Sequence, residues 1–337
     1  MPAPDQKTNV QTALKGDLAV RFATISNELE AVKICIADQL VAGSESVDAQ
    51  LEYVASAMGK MVRPALVLLS GKCCGELSDE HIQVASIIEM VHMATLLHDD
   101  VIDHADSRRS METPNSRWGN ESAVLLGDFL LSKAFAMSAR LKGMRVSTVL
   151  ADTAIRICKG ELQQNAQRDN WRLTEKEYFE IIESKTACLF GSSCQLGAIA
   201  AGADDETMNA FYEFGTCLGV AFQIADDLID IRGVETGEGK TLGRDIAEKK
   251  PTLPLIHLIG TLDSKNADEL IADLSAGRVP DEYGQILVNS GSIEYSRDVA
   301  KDYCQKAISC LDVVGNRKEK KMLADIVQVV MDRAVSN

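Results

Sequence analysis

Two runs of helically spaced apolar residues in this chain end in the same acidic signature, Asp-Asp-x-x-Asp, at Asp99, Asp100 and Asp103 and again at Asp226, Asp227 and Asp230. Residues four apart share a helix face, so Asp99 and Asp103 project together while Asp100 lies about 100° round the axis. The second copy repeats that geometry. Any fold that keeps both copies needs long helices ending in three carboxylates each, and such groups cannot all stay ionised side by side without a counter-charge. Oxygen ligands with no accompanying thiolate or imidazole cluster suit hard Mg2+ bridged to a phosphorylated ligand. One copy alone reads as a solvated helix end; two with identical spacing, preceded by MATLL and GVAFQIA, favour a metal and diphosphate site.

Apolar positions recur at helical spacing over about 18–40, 51–58, 64–74, 82–102, 122–141, 146–166, 174–200, 205–231, 252–259, 266–274, 281–289, 292–311 and 318–334, with no convincing period-2 segment between them. The chain reads all-α. With 337 residues, 46% of them hydrophobic, it can bury one large helical core. Its 7 Pro fall in the tail, in loops or in first turns of the periodic runs. The expected organisation is a polar, disordered tail over 1–15 and a single domain over 16–337. No repeat of 20 to 50 residues is evident.

The formal charge of -15 argues against a nucleic-acid partner. An anionic substrate therefore needs a local basic pocket. The nine Cys show no paired C-x-x-C spacing and fit reduced, buried thiols rather than a zinc site or disulfide framework. The tail MPAPDQKTNVQ has no apolar core of a secretory signal. Residues 186–203 carry no charge, but Gly191, Ser192, Ser193, Gln195, Gly197 and Gly202 make a small-residue helix in close contact with neighbours a better expectation than a membrane span.

Basic residues gather near the acidic motifs. Residues 104–119, with Arg108, Arg109 and Pro114, follow the first motif, and the Gly-, Lys- and acid-rich 232–251 follow the second. Loops of that length are usually functional or disordered, and both are expected to act as phosphate-binding lids. In GKMVRP, Lys60 supplies a point charge and Arg63 a planar fork, a pair suited to diphosphate, while Pro64 can open a helix.

In order along the chain, GKMVRP, EMVHMATLLHDDVIDHADSRR, GDFLLSKAF, GELQQ, SKTACLF, GVAFQIADDLID and GKTLGRDIAEKKPTLPLIH closely resemble the trans-isoprenyl diphosphate synthases. The likeness is strongest to bacterial long-chain polyprenyl diphosphate synthases of the octaprenyl, solanesyl and decaprenyl kind. It runs from about Leu51 to the C-terminus; the first fifty residues are uninformative. The resemblance implies a bundle of antiparallel helices around a central active-site cavity, an isoprenoid synthase-like fold. It implies that Lys60, Arg63 and His92 bind isopentenyl diphosphate with Arg109 contributing, that Arg108 faces an allylic diphosphate, and that the six aspartates hold three Mg2+ around it. Lys185 and Lys240 would neutralise the departing diphosphate, and Lys250 matches a further family lysine. Thr186 and Gln223 would lie beside the developing allyl cation, whose charge their oxygen dipoles can stabilise. An isolated His on an apolar helix is otherwise most simply a satisfied core residue. The resemblance also implies a geranyl, farnesyl or geranylgeranyl primer, a homodimer, a cytoplasmic location with transient membrane proximity for product release, and a product destined for quinone side chains.

Product length follows from the helix before Asp99. A growing chain running along it advances about 5 Å per isoprene unit, close to one 5.4 Å turn. Short-chain members of the family place bulky aromatics four and five residues before the first Asp; here those positions are Thr95 and Ala94, with Val91, Met90 and Ile87 further along and no aromatic plug. The expected product is all-trans C40–C50, against a shorter C15–C25 alternative. A class I terpene cyclase is the other alternative, but its second metal motif differs and it has no need of a second diphosphate pocket. A phosphohydrolase built on His98-Asp99 leaves the second motif unexplained, a di-iron site at Glu89-x-x-His92 lacks its second Glu-x-x-His, and a regulatory subunit would not keep both acidic motifs intact.

Overall fold

The computed structural model describes residues 22–109, 111–232, 244–280, 283–315 and 317–335. The expected disordered tail over 1–15 lies outside them. The chain is all-α, as expected. It runs through α1 (Ser26–Gln39), α2 (Glu45–Ser56), α3 (Val62–Cys74) and α4 (Asp79–Ile102), then a two-stranded antiparallel hairpin, β1 (Ser107–Arg108) and β2 (Met111–Glu112). Next come α5 (Pro114–Trp118), α6 (Asn120–Ser138), α7 (Arg145–Ala166), α8 (Glu175–Ile182), a single π turn (Glu183–Ala187), α9 (Cys188–Ala200) and α10 (Asp205–Arg232). The last elements are α11 (Arg244–Ala247), α12 (Leu253–Thr261), α13 (Ser264–Ser275), α14 (Tyr283–Asn289), α15 (Ser292–Cys310) and α16 (Lys318–Val335).

Local chemistry sets the helix starts. Ser78 opens α4 through a capping box in which its backbone N–H donates to His81 Nδ1 at 3.1 Å, and Asp79 and Glu80 place negative charge in the first turn, where the helix dipole favours it. Thr174 and Glu177 form the same reciprocal box at the start of α8. The expectations missed what lies inside the two long connections. Residues 104–119 hold the hairpin and α5, and α11 occupies part of 232–251. Two-residue strands and helices of four or five residues are too short to carry a periodic signal.

The backbone divides into two compact units, one of residues 1–151, 192–211 and 313–326 and the other of 152–191, 212–312 and 327–337. Its boundaries fall inside α7, α9, α10 and α16. In the first unit α4 packs against α1, α3 and, most extensively, α6. From Val84 to Val91 every residue of α4 is buried, the signature of a helix covered on all sides. In the second unit Trp171, Ile231, Leu255, Leu258, Tyr283 and Leu287 form a core beneath α12 to α15. The uncharged stretch 186–203 lies in the π turn and α9 and just beyond, with Ser192 and Ser193 buried. Among the described residues no helix is long and apolar enough to cross a membrane.

Candidate active site

Helix α4 sorts its side chains onto two useful faces. Steps of three and four residues put Ile87, Val91, Thr95 and Asp99 along one, and Glu89, His92, Leu96 and Asp100 along the other. The helix stops in a Schellman motif: the His104 N–H donates to the Val101 carbonyl at 3.3 Å and the Ala105 N–H to the Asp100 carbonyl at 2.9 Å, with His104 in the left-handed region at φ 50°. That stop leaves Asp103 as the capping residue, half-buried like Asp99. Asp100 behaves differently. It is 3% exposed, and Arg108 donates to its Oδ1 from both Nε and Nη2 at 2.8 Å. Arg108, expected to face an allylic diphosphate, holds a carboxylate of the first motif here.

The second face of α4 lines a cavity of about 60 Å³ together with Tyr53, Ala57, Gly59, Arg108 and Arg109. Met61, in the left-handed region at φ 55°, turns the chain from Gly59-Lys60 into α3, where Pro64 is the third residue. Arg109 comes from the hairpin, also with positive φ, and its Nη1 donates to the Ala57 carbonyl at 2.8 Å. The Tyr53 hydroxyl fastens the hairpin to α2 through the Glu112 carbonyl, 2.8 Å away. Burial, then the charges of Arg63, Arg109 and Arg108, hold the His92 imidazole well below its usual range. It is therefore a neutral hydrogen-bonding group among guanidiniums rather than an isolated core histidine.

Gly59 is required by close approach. A Cβ there would lie 2.5 Å from one Arg109 guanidinium nitrogen. That group ends a flexible side chain, so the fold can yield at little cost while the cation is displaced. If Arg109 binds the diphosphate that the sequence resemblance assigns to it, Gly59→Ala is expected to raise KM for that substrate about 10-fold, roughly 1.4 kcal/mol of lost positioning, with Tm nearly unchanged; steady-state kinetics with melting curves checks this.

The second acidic motif lies in α10 within a dense polar network. The Tyr178 hydroxyl donates to Asp227 Oδ2 at 2.7 Å and Gln223 Nε2 donates to Asp227 Oδ1 at 2.9 Å. Gln223 Oε1 accepts from the Thr186 hydroxyl at 3.0 Å, so one amide bridges two expected site residues. The Asp245 N–H donates to Asp230 Oδ2 at 3.0 Å, and Arg333 of α16 pairs with Asp226. Lys185 and Thr186 sit in the π turn, a distortion common at functional sites. Gly160 lets α7 approach that turn: a Cβ there would lie 2.5 Å from the Lys185 backbone nitrogen. Its neighbour Glu161 pairs with Lys185, whose Nζ also donates to Gln164 Oε1 at 2.7 Å. Lys250 is bonded to Glu248 at 2.6 Å. Lys240 lies outside the described residues.

The donor set fits a hard divalent cation, being carboxylate oxygen without thiolate or imidazole. Burial pushes the Asp227 carboxyl up to about 7, with Asp226 and Asp230 adding to the shift and the hydrogen bonds from Tyr178 and Gln223 opposing it. Such an accumulation of carboxylates calls for added positive charge. Among the described residues no three His, Cys, Asp or Glu side chains form a ready-made cage; Mg2+ commonly completes its octahedron with water and substrate phosphate.

The Asp227 shift has a measurable consequence. An unfolded Asp titrates near about 3.9, so between about pH 4 and 7 the folded protein keeps a proton that the unfolded chain has released. Its contribution to stability falls as pH rises through that window and levels above it. In metal-free protein, Tm of the wild type minus that of Asp227→Asn is expected to decline from pH 4 to 7; a flat difference would contradict the assignment.

The polyprenyl synthetase family model matches residues 44–283, a span that includes the lysine–arginine turn, both acidic motifs and the π turn. The chain belongs to the polyprenyl synthetase family. Octaprenyl diphosphate synthase of Escherichia coli is 33% identical over 91% of this chain and 96% of its own length. A decaprenyl diphosphate synthase from Rhodobacter capsulatus superposes with a TM-score of 0.89 at 30% identity, covering 94% of this chain and 99% of its own. A polyprenyl synthase from Caulobacter crescentus, solved with calcium and isoprenyl diphosphate, gives 0.86 at 29% identity, covering 93% and 97%. Other relatives of similar identity are named for heptaprenyl and geranylgeranyl products. This synthase is thus a transferase of prenyl groups, of the trans-prenyl diphosphate synthase family.

Within the first unit the structure brings His92, Arg108, Arg109 and Asp100 to one cavity, and within the second it links Thr186, Gln223 and Asp227 in one network. Along α4, Ile87, Met90, Val91 and Ala94 are buried, and the half-buried Thr95 donates its hydroxyl to the His92 carbonyl at 2.8 Å. Tyr178, Glu161, Asp245 and Arg333 were not among the expected site residues. Glu161 and Gln164 stand in the quoted GELQQ and could have been found there; Tyr178 and Arg333 lie far along the chain from the groups they touch.

Proposed function

We propose that this synthase condenses an allylic diphosphate with successive isopentenyl diphosphates to give an all-trans polyprenyl diphosphate of about C40–C50. The observation that supports it is the division of labour on α4. One helix presents the first acidic motif and, about 100° round its axis, a cationic cavity containing neutral His92 and Arg109. Two diphosphate-bearing substrates need two such faces, whereas a cyclase needs one.

In this reading the residues act as follows. Asp99, Asp103, Asp226 and Asp230 would hold Mg2+, which when bound supplies positive charge to a departing diphosphate. Lys185, oriented by Glu161 and Gln164, and Lys240 add to that charge. The allylic C–O bond breaks with its electron pair leaving on diphosphate. The double bond of isopentenyl diphosphate, held by Lys60, Arg63, His92 and Arg109, attacks the allyl carbon, and the new chain loses a proton to the released diphosphate. The Thr186 hydroxyl oxygen and the Gln223 amide, locked together and to Asp227, present fixed dipoles to the cation. A carbocation is quenched by water, so the chemistry requires a dry site.

Ala94 and Thr95 support long-chain extension, since neither fills the space that an aromatic would. A dimer, a cytoplasmic location near a membrane and a quinone-tail product complete the proposal. Incubation of the purified protein with labelled isopentenyl diphosphate and geranyl, farnesyl or geranylgeranyl diphosphate, followed by reversed-phase chromatography, tests it. Products near C40–C50 that require isopentenyl diphosphate are expected; a hydrocarbon formed from the allylic substrate alone would refute it.

A further inference from the structure

Glu89 is out of place in α4. It is the one charged residue in the fully buried stretch from Val84 to Val91, it is 3% exposed, and it lines the cavity one turn before His92. Burial raises its pKa, and the charges of Arg63, entering from α3, and Arg109, from the hairpin, draw it back down. Arg109 feels the same carboxylate in return. A buried carboxylate is costly unless a cation meets it, so this one needs a task.

The task follows from what surrounds it. The guanidiniums of Arg108 and Arg109 line, together with Glu89, a cavity of about 60 Å³. With no anion present they repel each other. Arg109 is fastened through Nη1 to the Ala57 carbonyl, and its backbone lies in the turn that follows the two-residue strand β1. We propose that Glu89 is a positioning residue for the isopentenyl diphosphate cradle, its carboxylate serving as the fixed counter-charge that holds the Arg109 fork at the shared cavity before substrate arrives. The inference rests on the reading of this cavity as the isopentenyl diphosphate site. Glu89 has two opposed effects on an entering anion. It repels the diphosphate, but that repulsion is shared among several neighbouring cations; it also preserves the fork geometry that two-point bonding to phosphate requires. The second effect dominates because a misaligned fork loses its bonds outright.

The test is steady-state kinetics with farnesyl diphosphate and isopentenyl diphosphate. Glu89→Gln keeps the shape and removes the charge. It is expected to raise KM for isopentenyl diphosphate about 10-fold, leaving kcat and KM for farnesyl diphosphate within about twofold. Glu89→Asp keeps the charge one methylene further back and should recover part of the loss. In an Arg109→Ala background, Glu89→Gln should add less than about twofold, since its partner is gone. A KM that is unchanged or falls, as pure repulsion would give, overturns the proposal, as does a full effect without Arg109. If Glu89→Gln does not fold, Glu89→Asp carries the test: a rise of about threefold in the same KM supports the proposal and none overturns it. Arg63→Ala and Arg109→Ala separate the two levels of inference. If they leave KM for isopentenyl diphosphate untouched, the reading of the cavity itself fails; if they raise it and Glu89→Gln does not, only the role of Glu89 fails.

Discussion

Replacing Asp99 with Asn is expected to lower kcat by about 10³-fold, the scale seen when one element of transition-state charge stabilisation is removed, with helical content intact. Asp99 is half-buried at the end of α4, so loss of its charge costs the fold little. Asp226→Asn, on the other motif, is expected to do the same. The informative measurement is the double variant. If both motifs serve one departing diphosphate they act as a unit, and the double variant falls no further than about 10-fold below either single one. If they serve separate sites, the losses multiply. Single-turnover assays, which isolate the chemical step, distinguish the two.

Ala94→Phe is expected to shorten the product sharply from about C40–C50, because a ring five residues, about one and a half turns, before Asp99 blocks the path of a chain that advances roughly one turn per isoprene unit. Ala94 is 1% exposed, so the ring must enter either packed protein or an open channel. Forcing it into packed protein costs about 1–3 kcal/mol, whereas a channel accepts it. A shortened product ladder with Tm nearly unchanged is the expected pair of results. An unchanged ladder would remove the argument that the chain grows along this face of α4.

The long helices were legible because each carries many turns of apolar periodicity; α4, α10 and α15 lie within a few residues of their expected limits. The hairpin was not, since Ser107, Arg108, Met111 and Glu112 offer two residues per strand and no alternation. Site chemistry was legible where it depended on spacing within one helix, as for Asp99 and Asp103. It was hidden where it depended on contact between distant segments. That Asp100 belongs with Arg108, Gln223 with Thr186 and Asp226 with Arg333 follows from packing alone. His92 is the instructive case: by composition an ordinary core histidine, it gains its meaning from guanidiniums on α3 and the hairpin.

The π turn at Glu183–Ala187 holds one residue more than regular winding would use. Deleting a single residue there would let the chain relax to ordinary α geometry with the flanking helices still in phase, while the residues of the widened turn itself would be displaced. Lys185 would lose its registration with Glu161 and Gln164, and the Thr186 hydroxyl its bond to Gln223. The extra residue thus works as a local bulge, letting one widened turn present a cation and a hydroxyl at angles that uniform coiling forbids.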